Sequence, residues 1–263
     1  MPQPVSVKVR RNGRDIALEC AWVGDPDARD TMVFIHEGLG SVSMWRDFPD
    51  TLCKALGMRG LVYSRYGYGK STPRPLEERW QSNFLHIEGQ NVLPQLLAAL
   101  RIERPWLFGH SDGGSIALIY AATIPMAVQG IITLAPHVFV EQKSIDAIEL
   151  AKDAYTRTDL RERLSRHHAD VDSAFWGWND VWLSAEFREW HISDALSHIV
   201  APCLTIQGED DEYGTDSQAE TVARDVQNGE LMLIPNCGHS PHRDQPEIVI
   251  EAVCEFVAAQ RNF

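Results

Sequence analysis

The sequence predicts an α/β protein: a mostly parallel eight-stranded sheet with helices on both faces and one helical insertion. Three observations carry that reading. Short β-branched runs alternate with longer segments of helical pattern, as crossovers between parallel strands require. The alternation breaks once, over 137–198, where the pattern turns helical and aromatic-rich. And 263 residues, 44% hydrophobic and 23% charged, have the length and composition of one large globular core.

The elements follow in order. Val5–Val9 and Ile16–Ala21 flank Asn12-Gly13, a hairpin signal, and supply an antiparallel edge. Met32–Ile35, Gly60–Tyr63 and Trp106–Phe108 are compact strand-like runs bounded by turn residues. Each gives way to a helical segment, at Val42–Leu56, Trp80–Leu100 and Gly114–Ala122 respectively. Ile131–Leu134, Cys203–Ile206 and Leu231–Ile234 complete the strands. Pro246–Ala259, amphipathic with proline in its first turn, reads as a terminal helix. The core is therefore expected at 1–136 and 199–263, with a helical lid at 137–198. That insertion carries Phe175, Trp176, Trp178, Trp182, Phe187 and Trp190. Indoles are frequent pocket walls, so Trp176, Trp178 and Trp182 are candidate substrate contacts; packing within the lid's own small core is the alternative.

Composition excludes several functions. With 24 basic against 37 acidic residues the net charge is −13, unsuited to a phosphate backbone, so no nucleic-acid partner is expected. No run approaches eighteen apolar residues, so no membrane span is expected either. The polar start, Met1–Arg14, lacks the apolar stretch of a signal peptide, and a cytoplasmic location follows as the expectation. Five scattered cysteines with no close pair argue against a disulfide framework and a structural zinc site. Cys237, two residues before His239, reads as packing rather than as a nucleophile.

The chemistry concentrates at Gly109-His110-Ser111-Asp112-Gly113, a G-x-S-x-G pattern set between a strand run and a helical segment. A serine on so sharp an elbow adopts a strained backbone, and the chain passes so close to itself that a Cβ at 109 or 113 would clash. The elbow lifts the hydroxyl clear of the sheet, beside the positive end of a helix. Such a hydroxyl needs a base, and His239 follows the last strand run in a turn-rich loop. A carboxylate must then orient the imidazole, and the acidic loop Gly208-Glu209-Asp210-Asp211-Glu212 follows the preceding strand. The order serine, acid, histidine suits successive strand ends of one sheet.

On these residues the chain resembles α/β-hydrolase fold enzymes of the esterase, lactonase and C–C hydrolase group. His36-Glu37-Gly38-Leu39-Gly40-Ser41 is similar to that family's oxyanion loop, and Ser64–Ser71 to its glycine-rich loop. Gly208 to Asp211 has its Gly-x-x-Asp spacing; Gly238-His239 with Pro246-Glu247 resembles its histidine loop and final helix. The resemblance implies Ser111, Asp211 and His239 as the triad, with Asp210 the next candidate acid and Glu209, Glu212 and Asp216 behind it. It implies an oxyanion hole from the Asp112 amide and one from Gly38 or Leu39. Glu37 departs from the family, which more often has glycine there, and so leaves open which of those two amides serves.

Other features are set aside. Gly-Lys-Ser at 69–71 lacks the glycine a phosphate loop needs at 64. His167-His168 and His239 with His242 have no third ligand at a familiar spacing, so no metal is expected. His36 reads as a structural hydrogen-bonding residue and His137, at the lid entrance, as a candidate substrate contact. The implied reaction is acyl transfer on a small, hydrophobic or aromatic carboxylic ester or lactone, without a cofactor, by a monomer or homodimer. Serine at 111 excludes relatives that alkylate an aspartate, the haloalkane dehalogenases and epoxide hydrolases. A thioesterase, a C–C hydrolase or a lyase using the same triad remains an alternative, as does, further off, a ligand receptor on the same scaffold.

Overall fold

A computed structural model describes residues 5–261, so the first four residues of the polar start lie outside it. Eight strands form one sheet: β1 (Val5–Arg11), β2 (Arg14–Gly24), β3 (Thr31–Ile35), β4 (Arg59–Tyr63), β5 (Trp106–His110), β6 (Gly130–Leu134), β7 (Cys203–Gly208) and β8 (Gly229–Ile234). Their order is β1-β2-β4-β3-β5-β6-β7-β8. The opening hairpin runs antiparallel, β1 on β2 and β2 on β4, and every other pairing is parallel. The expected runs are all strands, most of them extended by one to three residues.

Both faces are covered because the inner strands are apolar on both sides. Val33, Ile35 and Leu107 point into one core, and Met32, Phe34 and Phe108 into the other. The first core lies against α2 (Phe84–Ile87), α3 (Leu93–Ala99) and α4 (Asp112–Thr123). The second includes residues of α1 (Phe48–Leu56) and of α11 (Pro246–Arg261).

Two helical segments are shorter than the pattern suggested. Val42–Trp45 forms only a 3-10 turn, Arg46 swings to φ 56°, and α1 starts afresh with proline in its first turn. Pro49 has no N–H to give and fits only where none is needed, so it sets that boundary. Likewise α2 begins at Phe84 rather than Trp80, and a π turn at Glu88–Val92 joins it to α3.

Between β6 and β7 the chain is helical: α5 (Gln142–Arg157), α6 (Leu160–Ser165), α7 (Val171–Trp182), a 3-10 turn at Glu186–Glu189, and α8 (Ser193–Leu196). Its entry and exit are tied together, with Phe139 bridged to His191 and the Ile192 amide on the Val138 carbonyl at 2.8 Å. After β7 come α9 (Asp216–Asp225), then β8, a short α10 (Pro241–Asp244), and α11. Strand order reverses at β3, whose neighbours are β4 and β5. The loops leaving β3 and β5 therefore diverge, opening a crevice at the carboxyl ends of the strands. Among the described residues no helix is long and apolar enough to cross a membrane.

Candidate active site

Ser111 sits between the last residue of β5 and the first of α4, at φ 52° and ψ −119°. Close approach at both flanking glycines enforces that geometry. A Cβ on Gly109 would run into the Gly113 carbonyl, and one on Gly113 into the carbonyl of Ile35 in β3. The Ser111 amide is pinned to the Leu134 carbonyl at 2.8 Å, so the elbow hangs between two strands.

His239, on the loop after β8, brings Nε2 to 3.0 Å from Ser111 Oγ. Its Nδ1 lies 2.9 and 3.0 Å from the two carboxylate oxygens of Asp211, which fixes the tautomer with the proton on Nδ1. Asp211, on the loop after β7, is 2% exposed. Burial by itself would raise its pKa, but His239 and the amide of Tyr213 at 2.8 Å more than offset this and hold it below the usual carboxylate range. Of the other carboxylates in the run, Glu209 and Asp210 are exposed and Asp216 opens α9. Glu212 is no mere solvated neighbour: it accepts the His239 amide at 3.1 Å. His110, buried beneath the elbow, donates Nε2–H to the His239 carbonyl at 2.7 Å. The imidazole-bearing residue is therefore held at both backbone ends.

The loop after β3 forms a tight turn, with the Gly40 amide on the Glu37 carbonyl at 3.1 Å. That carbonyl also accepts His36 Nδ1 at 2.7 Å and the Arg65 guanidinium at 2.8 Å. His36 Nε2 in turn accepts the Arg65 amide at 2.9 Å, so His36 is a hydrogen-bonding brace. The amides of Gly38 and Leu39 find no acceptor among the described residues, and both residues line the cavity with Asp112. Asp112 is the first helical residue of α4, where an amide has no partner within the helix. A side chain at 38 would strike the Trp178 indole. The Glu37 carboxylate folds back beside Gly40, where a Cβ would strike it, and reaches Arg243 at 3.1 Å with His110 Nδ1 at 3.5 Å. Burial alone would raise its pKa, but His110 and Arg243 keep it well below the ordinary value.

Behind the elbow the Asp112 carboxylate is buried, 3.2 Å from the Arg65 guanidinium and 3.2 Å from the Trp182 indole nitrogen. Burial raises its pKa against the pull of Arg65. This pair carries no sequence signal, since G-x-S-x-G leaves position 112 free and Arg65 lies forty-seven residues away.

A cavity of about 210 Å3 opens over Ser111, walled by Leu39, Met44, Ile148, Leu164, Trp178 and Trp182. His137 is also in this wall, 5.8 Å ring to ring from His239; burial and His239 push it down to about 3, so it is neutral, and Nδ1 has no partner among the described residues. Trp182 lines the cavity with its N–H already given to Asp112. Trp176 is not in the cavity: it packs on Tyr155 and Phe175 within the insertion. Helical phase explains the split, because 178 and 182 are four apart on α7 and share a face, while 176 points elsewhere.

The sequence profile of the alpha/beta hydrolase family matches residues 32–252. Monoacylglycerol lipase ABHD6 of Homo sapiens is 22% identical over 91% of this chain and 78% of its own. The 2-hydroxy-6-oxononadienedioate/2-hydroxy-6-oxononatrienedioate hydrolase of Paraburkholderia xenovorans is 24% identical over 96% of this chain and 94% of its own. Among solved structures, a carboxylesterase of Nitrososphaera gargenis superposes with a TM-score of 0.77 at 18% identity, covering 97% of this chain and 99% of that one.

Proposed function

Because this chain belongs to the alpha/beta hydrolase family, we propose that it is a serine hydrolase that cleaves small carboxylic esters or lactones through an acyl-enzyme. The observation that carries this reading is the unbroken line Ser111 Oγ, His239 Nε2, His239 Nδ1, Asp211, with contacts of 3.0 and 2.9 Å. In the first half-reaction His239 removes the Ser111 proton as Oγ attacks the carbonyl carbon. The oxyanion is held by the Asp112 amide and one of Gly38 or Leu39, each donor worth about 3 kcal/mol in the transition state. The imidazolium, paired with Asp211, protonates the leaving oxygen. Water then repeats the sequence on the acyl-enzyme and returns the proton to Ser111. His137, Trp178 and Trp182 would contact the substrate, and the helices between β6 and β7 would act as its lid. The relatives support hydrolysis generally, with a monoacylglycerol lipase and a 2-hydroxy-6-oxononadienedioate/2-hydroxy-6-oxononatrienedioate hydrolase among them.

Every group in this scheme comes from one chain, so a monomer or a homodimer would serve. The unpaired cysteines support a reducing, cytoplasmic setting. The test is labelling with a fluorophosphonate and mapping the adduct. Modification at Ser111, with Ser111→Ala abolishing turnover of p-nitrophenyl butyrate at unchanged circular dichroism, is expected. Full turnover by the alanine variant would refute the assignment. A panel of aryl ester, acyl-CoA and vinylogous diketone separates the ester reading from thioester and C–C cleavage.

A further inference from the structure

A second cavity, of about 490 Å3, lies behind the wall that closes the Ser111 cavity. It is bounded by β2, β4, the 3-10 turn at Val42–Trp45 and the corner between α6 and α7. The two cavities share no lining residue. Neighbours in sequence face opposite ways: Met44 and Leu164 line the Ser111 cavity, while Ser43 and Ser165 line the second. The wall is cross-tied, with Ser43 Oγ at 2.8 Å from His167 Nδ1. Next to it His168 donates Nε2–H to the Leu39 carbonyl at 3.0 Å and accepts the Gly69 amide on Nδ1 at 3.0 Å.

The volume falls in the range of ligand sites, and the chemistry of the lining is of two kinds. Ala21, Val23, Val42, Pro49 and Val62 make an aliphatic floor, with Trp45 beside them. At the mouth stand Arg46, Lys70 and Arg166, against a single carboxylate, Glu19. That carboxylate is already engaged, accepting Ser64 Oγ and the Lys70 amide, each at 2.8 Å. The cations are not: Arg46 and Lys70 make no side-chain hydrogen bond or ion pair among the described residues, and Arg166 has only Glu162 at 3.4 Å. The field at the wall is positive, since His167 is held below its ordinary pKa by burial and then by Arg243, Arg166 and Arg46. In a chain of net charge −13, three cations around one apolar mouth repel one another until an anion joins them.

We propose that this cavity binds an aliphatic monocarboxylate, its chain on the valine-rich floor and its carboxylate between Arg46 and Lys70. The branched aliphatic lining suits a flexible alkyl chain, and exposed guanidinium and ammonium groups suit a carboxylate head. The site is independent of the hydrolytic reading of Ser111 and stands or falls separately from it.

The test is calorimetric titration of the full chain with octanoate and, at equal length without charge, 1-octanol. One octanoate site is expected, with octanol weaker by about tenfold or more. The double variant Arg46→Glu/Lys70→Glu, both positions exposed and outside the Ser111 cavity, is expected to weaken octanoate by about tenfold or more and to keep its melting temperature. A diazirine-bearing fatty acid is expected to label Val42–Arg46 or Ser165–Ala169. No octanoate binding at millimolar concentration, equal affinity for octanol, an unchanged affinity in the double variant, or label confined to the Ser111 and Trp178 peptides would each overturn the proposal.

Discussion

Two adjacent carboxylates have different surroundings. Asp210 is exposed, and among the described residues only its amide is engaged, on the Cys237 carbonyl at 2.9 Å; Asp211 is buried against the imidazole. Asp211→Asn is therefore expected to lower kcat by roughly 10⁴, because the amide no longer holds the tautomer that leaves Nε2 free to accept a proton. Asp210→Asn should leave kcat within about twofold. Steady-state kinetics on both variants reads the difference. The buried histidines make a second prediction. Burial pushes His168 down to about 4 and His137 to about 3, so both are neutral in the fold, whereas the unfolded chain protonates them near 6.5. The unfolded state thus binds more protons between those values, and stability is full above about 6.5 and lost as pH falls toward 4. Urea unfolding at stepped pH should show this loss. In His168→Gln the slope over that window should flatten by about 1.4 kcal/mol per pH unit.

At the scale of elements, α4 is the pivot. From Asp112 to Ala121 it is buried on every side, so it has no amphipathic stripe, and the sheet packs directly on its first turn. Gly113 is where β3 touches it. Gly113→Ala drives a methyl group into the rigid Ile35 carbonyl and is expected to cost about 3 kcal/mol or more. Gly57, the left-handed C-cap of α1, has open space around it, and Gly57→Ala meets only the backbone penalty of about 1 kcal/mol. Equilibrium denaturation of the pair separates crowding from conformation. The helical insertion is tied to the core by hydrogen bonds, among them Trp182 on Asp112, His168 on Leu39, and Ser173 Oγ on the Arg74 carbonyl at 2.6 Å. The first two reach residues that line the Ser111 cavity.

Over the whole molecule, the strand reversal at β3 and the helices above it leave about 210 Å3 for a substrate over Ser111. That is below the usual range for drug-sized ligands, so acyl length should be limited. Across p-nitrophenyl esters, kcat/KM is expected to fall by about tenfold or more from butyrate to decanoate, since a long chain must displace Leu164 or Ile148. A rise with chain length would mean that the insertion opens in turnover.

The sequence by itself determined what is encoded locally. Alternation of β-branched runs with helical patterns announced the sheet, and the glycines at 109 and 113 announced the elbow, because backbone sterics act within a few residues. The chain order of serine, acid and histidine was also legible, and resemblance to the family's Gly-x-x-Asp spacing pointed to Asp211 within the acidic loop. Other features were not. His110 on the His239 carbonyl, Arg65 on Asp112, and His168 on Leu39 join residues 129, 47 and 129 positions apart. No local pattern specifies such pairs; they exist because the sheet brings the carboxyl ends of β3, β4, β5 and β8 to one edge and the insertion packs over it. The same packing decided that Trp182 spends its N–H on a buried carboxylate, that Trp176 faces its own helices, and that Glu37 reaches for Arg243. Local sterics chose the elements, and burial of one shared edge chose their partners.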